Sequence, residues 1–339
     1  MSAESRLSGR KVCWRGDGQM SAPAFVALAK SDELQARAET AFSSLRHCAL
    51  CPRACGVDRL AGDRGFCRAG PVARVYRHMV HNGEEPPISG HSGSGTIFWS
   101  HCTMACVYCQ NHRMSQDDEG SDRTSEEVRD MMLRLEDAGC HNINLVSPTQ
   151  FLPHVLDALS KAHEEGFSLP VVWNTSGYEC EETLRLLDGV VDVYLSDIRY
   201  ASDEYARAFS AAPDYVGVSR AALVEMGRQV GDLVVDDEGV AVRGLIVRHL
   251  VLPNGVAGTA ESMRFLAEKL GTGTFVSLMA QYYPAYRACE HPALSRRLTR
   301  REWHVAREEL AASGIENGWI QELPGGLSPI AGTRIPSDE

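Results

Sequence analysis

From residue 95 onward, short apolar runs alternate with longer stretches that have helical periodicity. This alternation is typical of βα units, in which helices connect parallel strands of one sheet. We count six units, with strands predicted at 96–100, 142–146, 170–173, 191–195, 245–250 and 274–278. The sequence therefore predicts an α/β fold built on a parallel sheet.

Several connecting elements are predicted by their own local signals. Thr124 and Glu127 form a capping box before the first helix, and Gly139 is a suitable stop for it. Residues 229–243 predict a hairpin, because two apolar-alternating arms flank a polar turn that ends in glycine. Residues 295–312 predict the last helix.

Polar groups follow the carboxyl end of every predicted strand, which is where chemistry lies in a (β/α) barrel. In strand order, these groups are the cysteines of 102–109 and the segments 147–150, 174–178, 196–200, 248–255 and 281–284. We therefore expect a functional site at this edge of the sheet.

Cys102, Cys106 and Cys109 give a Cys-x3-Cys-x2-Cys pattern directly after the first predicted strand. Thiolate sulfur suits iron–sulfur clusters and zinc, and three thiolates can hold three corners of a cubane cluster. The fourth iron would then stay open for a substrate. Structural zinc normally takes four protein ligands, so zinc or a chance grouping is the weaker interpretation.

A second cysteine group has four members, Cys48, Cys51, Cys55 and Cys67. Four thiolates close a metal site, so the spacing indicates structural zinc or a fully ligated second iron–sulfur cluster. We favour iron slightly, because both groups share one reducing environment. Reduced thiols without metal are the remaining alternative. The other cysteines are single and are interpreted as buried thiols, with Cys289 a candidate hydrogen-atom donor: Cys13, Cys140, Cys180 and Cys289.

Composition restricts location and partners. The chain has 339 residues, of which 44% are hydrophobic. It contains no apolar run of membrane-spanning length and no secretion leader, so we expect a cytoplasmic protein that does not associate with a membrane. The net charge of −11 argues against nucleic-acid binding. Seven arginines and only two aspartates fall between Arg46 and Arg77, a local net charge of +5 that leaves −16 for the remainder.

The sequence resembles the radical S-adenosylmethionine (SAM) superfamily. Within it, the resemblance is to relatives of pyruvate formate-lyase activating enzyme that carry an N-terminal Cys-rich segment. It covers about residues 48–321, and the motifs that carry it are 51–55, 83–90, 93–97, 106–111, 174–178 and 248–253.

The resemblance implies a partial (β/α)6 radical SAM barrel with a small N-terminal Cys-rich module. The expected divisions are a partly helical extension, a metal-binding module with linker, the barrel and a tail, at residues 1–47, 48–94, 95–328 and 329–339.

The resemblance also implies two cofactors, a [4Fe-4S] cluster on Cys102, Cys106 and Cys109, and SAM. Ser147 and Thr149 replace the family's Gly-Gly-Glu-Pro motif, and Arg199 replaces the lysine of its Asp-x-Lys pair. His101 departs from the glycine that relatives usually have there. The SAM-contact residues that match are Tyr108, Ser147, Thr149, Asn174, Ser176, Asp197, Arg199 and Arg248.

The implied activity is reductive cleavage of SAM to a 5'-deoxyadenosyl radical, which abstracts hydrogen from a protein or peptide, as an activase does, or from a small molecule. Glu84 and Glu85 are the expected substrate contacts, and a flavodoxin or ferredoxin is the expected reductant. The arginines of 46–77 could dock an acidic partner or offset cluster charge. The alternative is a non-catalytic iron–sulfur electron carrier or scaffold.

Overall fold

The computed structural model describes residues 22–322 and the backbone of residues 327–329. The strands are β1 (Ala73–His81), β2 (Ser94–Trp99), β3 (Ser121–Arg123), β4 (Ile143–Val146), β5 (Val171–Thr175), β6 (Val193–Asp197), β7 (Val234–Val235), β8 (Ala241–Leu250), β9 (Phe275–Met279), β10 (Asn317–Gln321) and β11 (Leu327–Pro329). The α-helices are α1 (Phe25–Lys30), α2 (Glu33–Ser44), α3 (Pro86–Ser89), α4 (His112–Ser115), α5 (Ser125–Asp137), α6 (Leu152–Glu164), α7 (Glu181–Leu186), α8 (Asp203–Ser210), α9 (Tyr215–Val230), α10 (Thr259–Lys269) and α11 (Arg300–Ala312).

One sheet organises the molecule, with strand order β11-β10-β9-β8-β6-β5-β4-β2-β1-β3 and β7 beside β8. Strands β2, β4, β5, β6, β8, β9 and β10 run parallel to their neighbours in this body. Six of them are the six predicted strands, with ends that differ by a few residues. The α/β fold class is therefore confirmed, and the open strand path is compatible with a partial barrel.

Both ends of the parallel body carry strands that the sequence did not predict. β1 pairs antiparallel with β2, as at His78 opposite Ile97, and β3 pairs with β1. The C-terminal part of segment 48–94 thus contributes to the main sheet. At the other end, β10 adds a seventh parallel strand beside β9, and β11 pairs antiparallel with β10.

Alternation along the strands separates two apolar layers. Val171 and Trp173 of β5 pack in the layer beneath the outer helices. Val172 faces the opposite side, in an inner layer with Ile88 of α3 and Ile246 of β8. Because side chains alternate with period two, the inner face continues through Asn174, Asp197 and Arg248 at the carboxyl ends of β5, β6 and β8.

The helices follow the local signals in most places. α5 begins after Thr124 with the predicted capping box, and Gly139 adopts a positive φ of 81° just after the helix. α11 starts at Arg300 rather than near 295, because Thr299 and Glu302 form a second capping box. The hairpin is confirmed as β7 and β8, although its first residues belong to α9.

The N-terminal helices α1 and α2 pack on α6, and the ring centroids of Phe25 and Phe167 lie 6.0 Å apart. None of the helices within the described residues is long and apolar enough to cross a bilayer. Cys13 and most of the predicted tail lie outside the described residues.

Candidate active site

The loop that carries the three clustered cysteines follows β2, and we call residues 102–109 the cysteine loop. Its backbone is held by the end of α8: the N–H groups of Ala105 and Val107 donate to the carbonyls of Ser210 and Phe209, at 2.9 Å in both bonds. The Gln116 amide donates to the carbonyl of Cys106 at 2.9 Å. The loop is therefore fixed by backbone contacts on two sides.

The sulfur of Cys106 lies at the centre of a polar group. Ser210 Oγ donates to it at 2.9 Å, and Arg199 Nη1 lies 3.7 Å away. A chain of hydroxyls continues from Ser210 to Tyr200 and on to Tyr108, at 2.7 Å for each step. Tyr108 and Tyr200 are both buried. The predicted ligand and the predicted aromatic contact thus belong to one hydrogen-bonded network.

The other two loop cysteines also have polar neighbours. The Met104 N–H lies 3.4 Å from the sulfur of Cys102, and Ser115 Oγ lies 3.3 Å from that of Cys109. Burial raises the pKa of the Cys102 thiol to about 12 and raises that of Cys109. A bound metal deprotonates a coordinating thiol outright. Three soft donors with hydrogen bonds to their sulfurs therefore fit a cluster, whose properties such bonds tune.

An ionic network joins the cysteine loop to the inner face of the sheet. Asp197 accepts from Arg199 Nη2 at 2.5 Å and from Arg248 Nε at 2.8 Å. Burial raises the pKa of Asp197, but the charges of Arg248 and Arg199 outweigh burial and lower it below its usual value. Arg248 also donates to Asn174 Oδ1 at 2.7 Å and to Glu84 Oε2 at 3.4 Å.

Glu85 lies beside this network, and its pKa is shifted in the opposite direction from that of Asp197. The residue is 8% exposed, and its Oε2 has no hydrogen-bonding partner among the described residues. Burial raises its pKa to about 7, against the opposing charge of Arg248. The site therefore contains a carboxylate that stays charged, Asp197, and a carboxyl group, Glu85, that is partly protonated at neutral pH.

The predicted SAM-contact loops lie side by side at the same edge. The Ser147 N–H donates to the carbonyl of Asn174 at 2.9 Å, and Ser147 has a positive φ of 56°. Thr149 is buried, and its hydroxyl donates to Glu179 Oε1 at 2.6 Å. The carbonyl of Ser176 accepts from Tyr215 at 2.8 Å.

Known proteins identify the group to which the chain belongs. The model of the Radical SAM superfamily matches residues 96–221. Uncharacterized protein MJ0674 of Methanocaldococcus jannaschii is 32% identical over 292 residues, which cover 82% of this chain and 78% of the relative. The chain belongs to the radical SAM superfamily. Membership implies cleavage of SAM at an iron–sulfur cluster.

Two solved structures resemble the chain more distantly. A structure of TYW1 with a lysine-pyruvate adduct bound has a TM-score of 0.46 at 13% identity, covering 71% of this chain and 82% of that one. Methylornithine synthase (PylB) has a TM-score of 0.43 at 14% identity, covering 90% and 76%. TM-scores this low say nothing about the substrate of this radical SAM chain.

The second cysteine group of this radical SAM protein lies in what we call the tetracysteine segment, residues 48–67. Its four sulfurs interact electrostatically: Cys55 and Cys67 act on Cys51, and Cys48 and Cys55 act on Cys67, although burial is the main reason why the pKa values of Cys51 and Cys67 are raised. Among the described residues, no three His, Cys, Asp or Glu side chains converge tightly enough to enclose one metal ion.

His249 and Cys289 differ in burial and in their surroundings. His249 is buried between the Ile198 carbonyl, 2.7 Å from its Nδ1, and the Thr259 hydroxyl, 3.0 Å from its Nε2, and burial lowers its pKa to about 4. A neutral structural role follows. Cys289 is exposed on a short 3-10 helix, Ala288–Glu290.

Three site residues escaped the sequence analysis, namely Ser210, Glu179 and Arg53. Ser210 is the last residue of α8, and only its distance from Cys106 in space reveals it. Glu179 accepts from Thr149, Thr175 and Trp173, so it joins the loops after β4 and β5. The position of Glu179 just after the predicted segment 174–178 was the available signal.

Proposed function

We propose that this radical SAM enzyme removes a hydrogen atom from a substrate held at the inner face of the sheet. The proposed substrate is a protein or peptide, as for a glycyl-radical activase. The alternative substrate is a small molecule. One observation carries the proposal: Arg199 lies 3.7 Å from the Cys106 sulfur and also binds Asp197, which belongs to the inner-face network. The cysteine loop and the interior are therefore contiguous.

The cysteines at 102, 106 and 109 would hold a [4Fe-4S] cluster. When bound, the cluster and SAM supply the one-electron chemistry by which SAM is cleaved and hydrogen is removed. The protein's own part is to position SAM and to exclude water. Arg199 and Arg248 supply positive charge for the carboxylate of SAM, and a guanidinium can bind a carboxylate with two parallel hydrogen bonds.

The polar loops complete the proposed SAM-binding surface. Asn174 and Ser176 supply polar groups for the ribose, and Ser147 and Thr149 lie where relatives present a carboxylate. Tyr108 is held by the Tyr200 hydroxyl and packs edge-on against Tyr282, with ring centroids 5.9 Å apart, so its position is rigid. The backbone at this residue, one position before Cys109, would approach the adenine ring.

Glu84 and Glu85 are the proposed substrate contacts. Glu84 is held by Arg248 and Asn174, whereas Glu85 has an unsatisfied oxygen in a buried position. A buried polar atom without a partner costs free energy that a bound ligand can recover. Glu85 in its protonated form would donate to an acceptor such as a peptide or amide carbonyl.

The test is anaerobic reconstitution with iron and sulfide, followed by dithionite and SAM. We expect 5'-deoxyadenosine to form, and we expect Cys106→Ala to lose both the product and the SAM-dependent change in the spectrum of the reduced cluster. Cys140→Ala is the matched control, because Cys140 is a buried cysteine outside the cysteine loop. A reduced cluster whose spectrum SAM leaves unchanged would favour the electron-carrier or scaffold alternative.

A further inference from the structure

Arg53, inside the tetracysteine segment, links that segment to the cysteine loop. Its Nε donates to the carbonyl of Thr103 at 2.6 Å, and its Nη2 donates to the carbonyl of Ala211 at 2.5 Å, just beyond α8. The guanidinium carbon also lies 3.2 Å from the ring centroid of Phe66. One side chain therefore binds the loop that carries the predicted ligands of the first cluster.

The same guanidinium lies within electrostatic range of both cysteine groups. Arg53 is two residues from both Cys51 and Cys55 in the chain, and its bond to the Thr103 carbonyl holds its guanidinium beside the residue that follows Cys102. Two of these cysteines belong to the tetracysteine segment and the third to the cysteine loop. A positive charge placed between two thiolate groups favours the more negative, reduced state of any redox centre at either one.

The two cysteine groups also open onto one cavity of about 250 Å³, which is lined by Cys67 and Cys102. Its other lining residues include Met104, Phe66 and Tyr286. The tetracysteine segment is anchored beside it, because Arg59 donates to the carbonyl of Gln150 at 2.7 Å. Cys67 of the second group and Cys102 of the first therefore lie on the same cavity.

The arginine-rich segment 46–77, which contains the tetracysteine segment, carries a net charge of +5 and is partly exposed. Cys55 is exposed, and so are Arg64, Arg68 and the apolar side chains of Leu60 and Phe66. The remainder of the chain carries strong negative charge, so this segment is where an acidic protein would be attracted rather than repelled. Complementary charge of this kind steers an acidic electron carrier to a transient contact.

We propose that Cys48, Cys51, Cys55 and Cys67 hold an iron–sulfur cluster that receives single electrons from an acidic flavodoxin or ferredoxin and passes them to the cluster on the cysteine loop. In each transfer the carrier is oxidised by one electron, the second cluster is reduced and then reoxidised, and the first cluster is reduced. No bond forms or breaks, and no proton is transferred. Zinc cannot serve because it has no redox chemistry. The proposal rests on the proposed function, since it requires a redox cluster on the cysteine loop.

Metal content and spectra test it in the full chain. We expect about eight iron atoms per chain after reconstitution, and about four in the Cys55→Ala/Cys67→Ala variant, as two [4Fe-4S] clusters require. Photoreduced flavodoxin should reduce the cysteine-loop cluster of the wild type quickly in stopped-flow experiments. The double variant should lose this fast phase but keep its SAM-dependent spectrum with dithionite. Zinc in the second site, or an unaltered fast phase, would overturn the relay and leave the proposed function standing.

Arg53→Gln provides a variant with all cysteines intact. It should bind the same amount of iron as the wild type, while potentiometric titration followed by electron paramagnetic resonance should show both clusters shifted to lower potential. Arg46→Gln, an exposed arginine in the same basic segment, is the matched control and should shift neither. A shift confined to one cluster, or none, would contradict the placement of Arg53 between two redox centres.

Discussion

At the scale of single residues, the inner face combines two carboxyl groups whose pKa values are shifted in opposite directions. Two arginines lower the pKa of Asp197, and burial raises that of Glu85 to about 7. The sequence could predict Asp197 and Arg199, because segment 196–200 follows a predicted strand and the pair resembles the family's Asp-x-Lys motif. It could not predict Ser210 beside Cys106, since 104 residues separate them and only the packing of α8 brings them together.

The raised pKa of Glu85 predicts a measurable dependence of stability on pH. Its pKa is about 7 in the folded chain against an ordinary 4.5, so the folded state binds the proton more tightly. The stabilisation of the folded chain that comes from binding this proton is complete below pH 4.5. It is lost as pH rises through 7, which lowers the free energy of unfolding by about 3 kcal/mol. Glu85→Gln should remove that loss, which urea unfolding at several pH values would measure.

The control for this experiment is Glu204→Gln, which changes an exposed carboxyl on α8. It should keep the pH profile of the wild type. If Glu85→Gln and the wild type lose stability in parallel between pH 5 and 7, Glu85 is not the titrating group.

At the scale of elements, the parallel strands were predictable and the edge strands were not. Each predicted strand is an apolar run bounded by polar signals, which is how a strand buried on both faces reads. β1 contains four basic residues, Arg74, Arg77, His78 and His81, and these polar positions masked the strand pattern. β10 is short and includes Gly318, which weakens any strand signal.

Gly177 is the element-scale test of the loop after β5. Its φ is +77°, and an added Cβ would lie 2.3 Å from the carbonyl oxygen of Asp197. Gly177→Ala should therefore displace the loop that carries Asn174 and Ser176, and weaken SAM binding about tenfold, equivalent to about 1.4 kcal/mol. Equilibrium dialysis of the reconstituted protein measures this.

Gly166→Ala is the control that introduces backbone strain without displacing the loop after β5. Gly166 also has a positive φ, +92°, but an added Cβ would meet no atom within 4 Å. This variant should lose some stability and retain the SAM affinity of the wild type. Equal weakening in both variants would show that the contact with Asp197 does not position the loop.

At the scale of the whole molecule, two arginines seat the tetracysteine segment on the sheet. Arg53 reaches the cysteine loop, and buried Arg59 donates to the carbonyls of Gly70 and Gln150, both at 2.7 Å, with its Nη1 3.9 Å from the Cys48 sulfur. The sequence showed that arginines are in excess here, but it did not show which of them are buried and which are exposed. Hydrophobic periodicity does not reveal which arginines turn inward. The structure places Arg53 and Arg59 inward, and Arg46 and Arg64 at the surface.

Arg59→Gln should loosen the tetracysteine segment without removing a cysteine. Two buried carbonyls lose charged donors, so the free energy of unfolding should fall by about 3 kcal/mol. Thermal unfolding with parallel iron analysis would show a lower midpoint and loss of metal from the second site, while the cysteine loop keeps its iron. Arg46→Gln should change neither; an unaltered midpoint in Arg59→Gln would show that the segment is seated by other contacts.

The two acceptors of Arg53 lie 50 and 158 residues after it in the chain. During synthesis the tetracysteine segment therefore leaves the ribosome long before the surface on which it rests exists. Its four thiols are therefore synthesised well before the backbone carbonyls that Arg53 binds. Because Ala211 follows directly after α8, the guanidinium can complete both hydrogen bonds only once that helix has formed. Docking of the tetracysteine segment on the cysteine loop is therefore a late step in the folding of the chain.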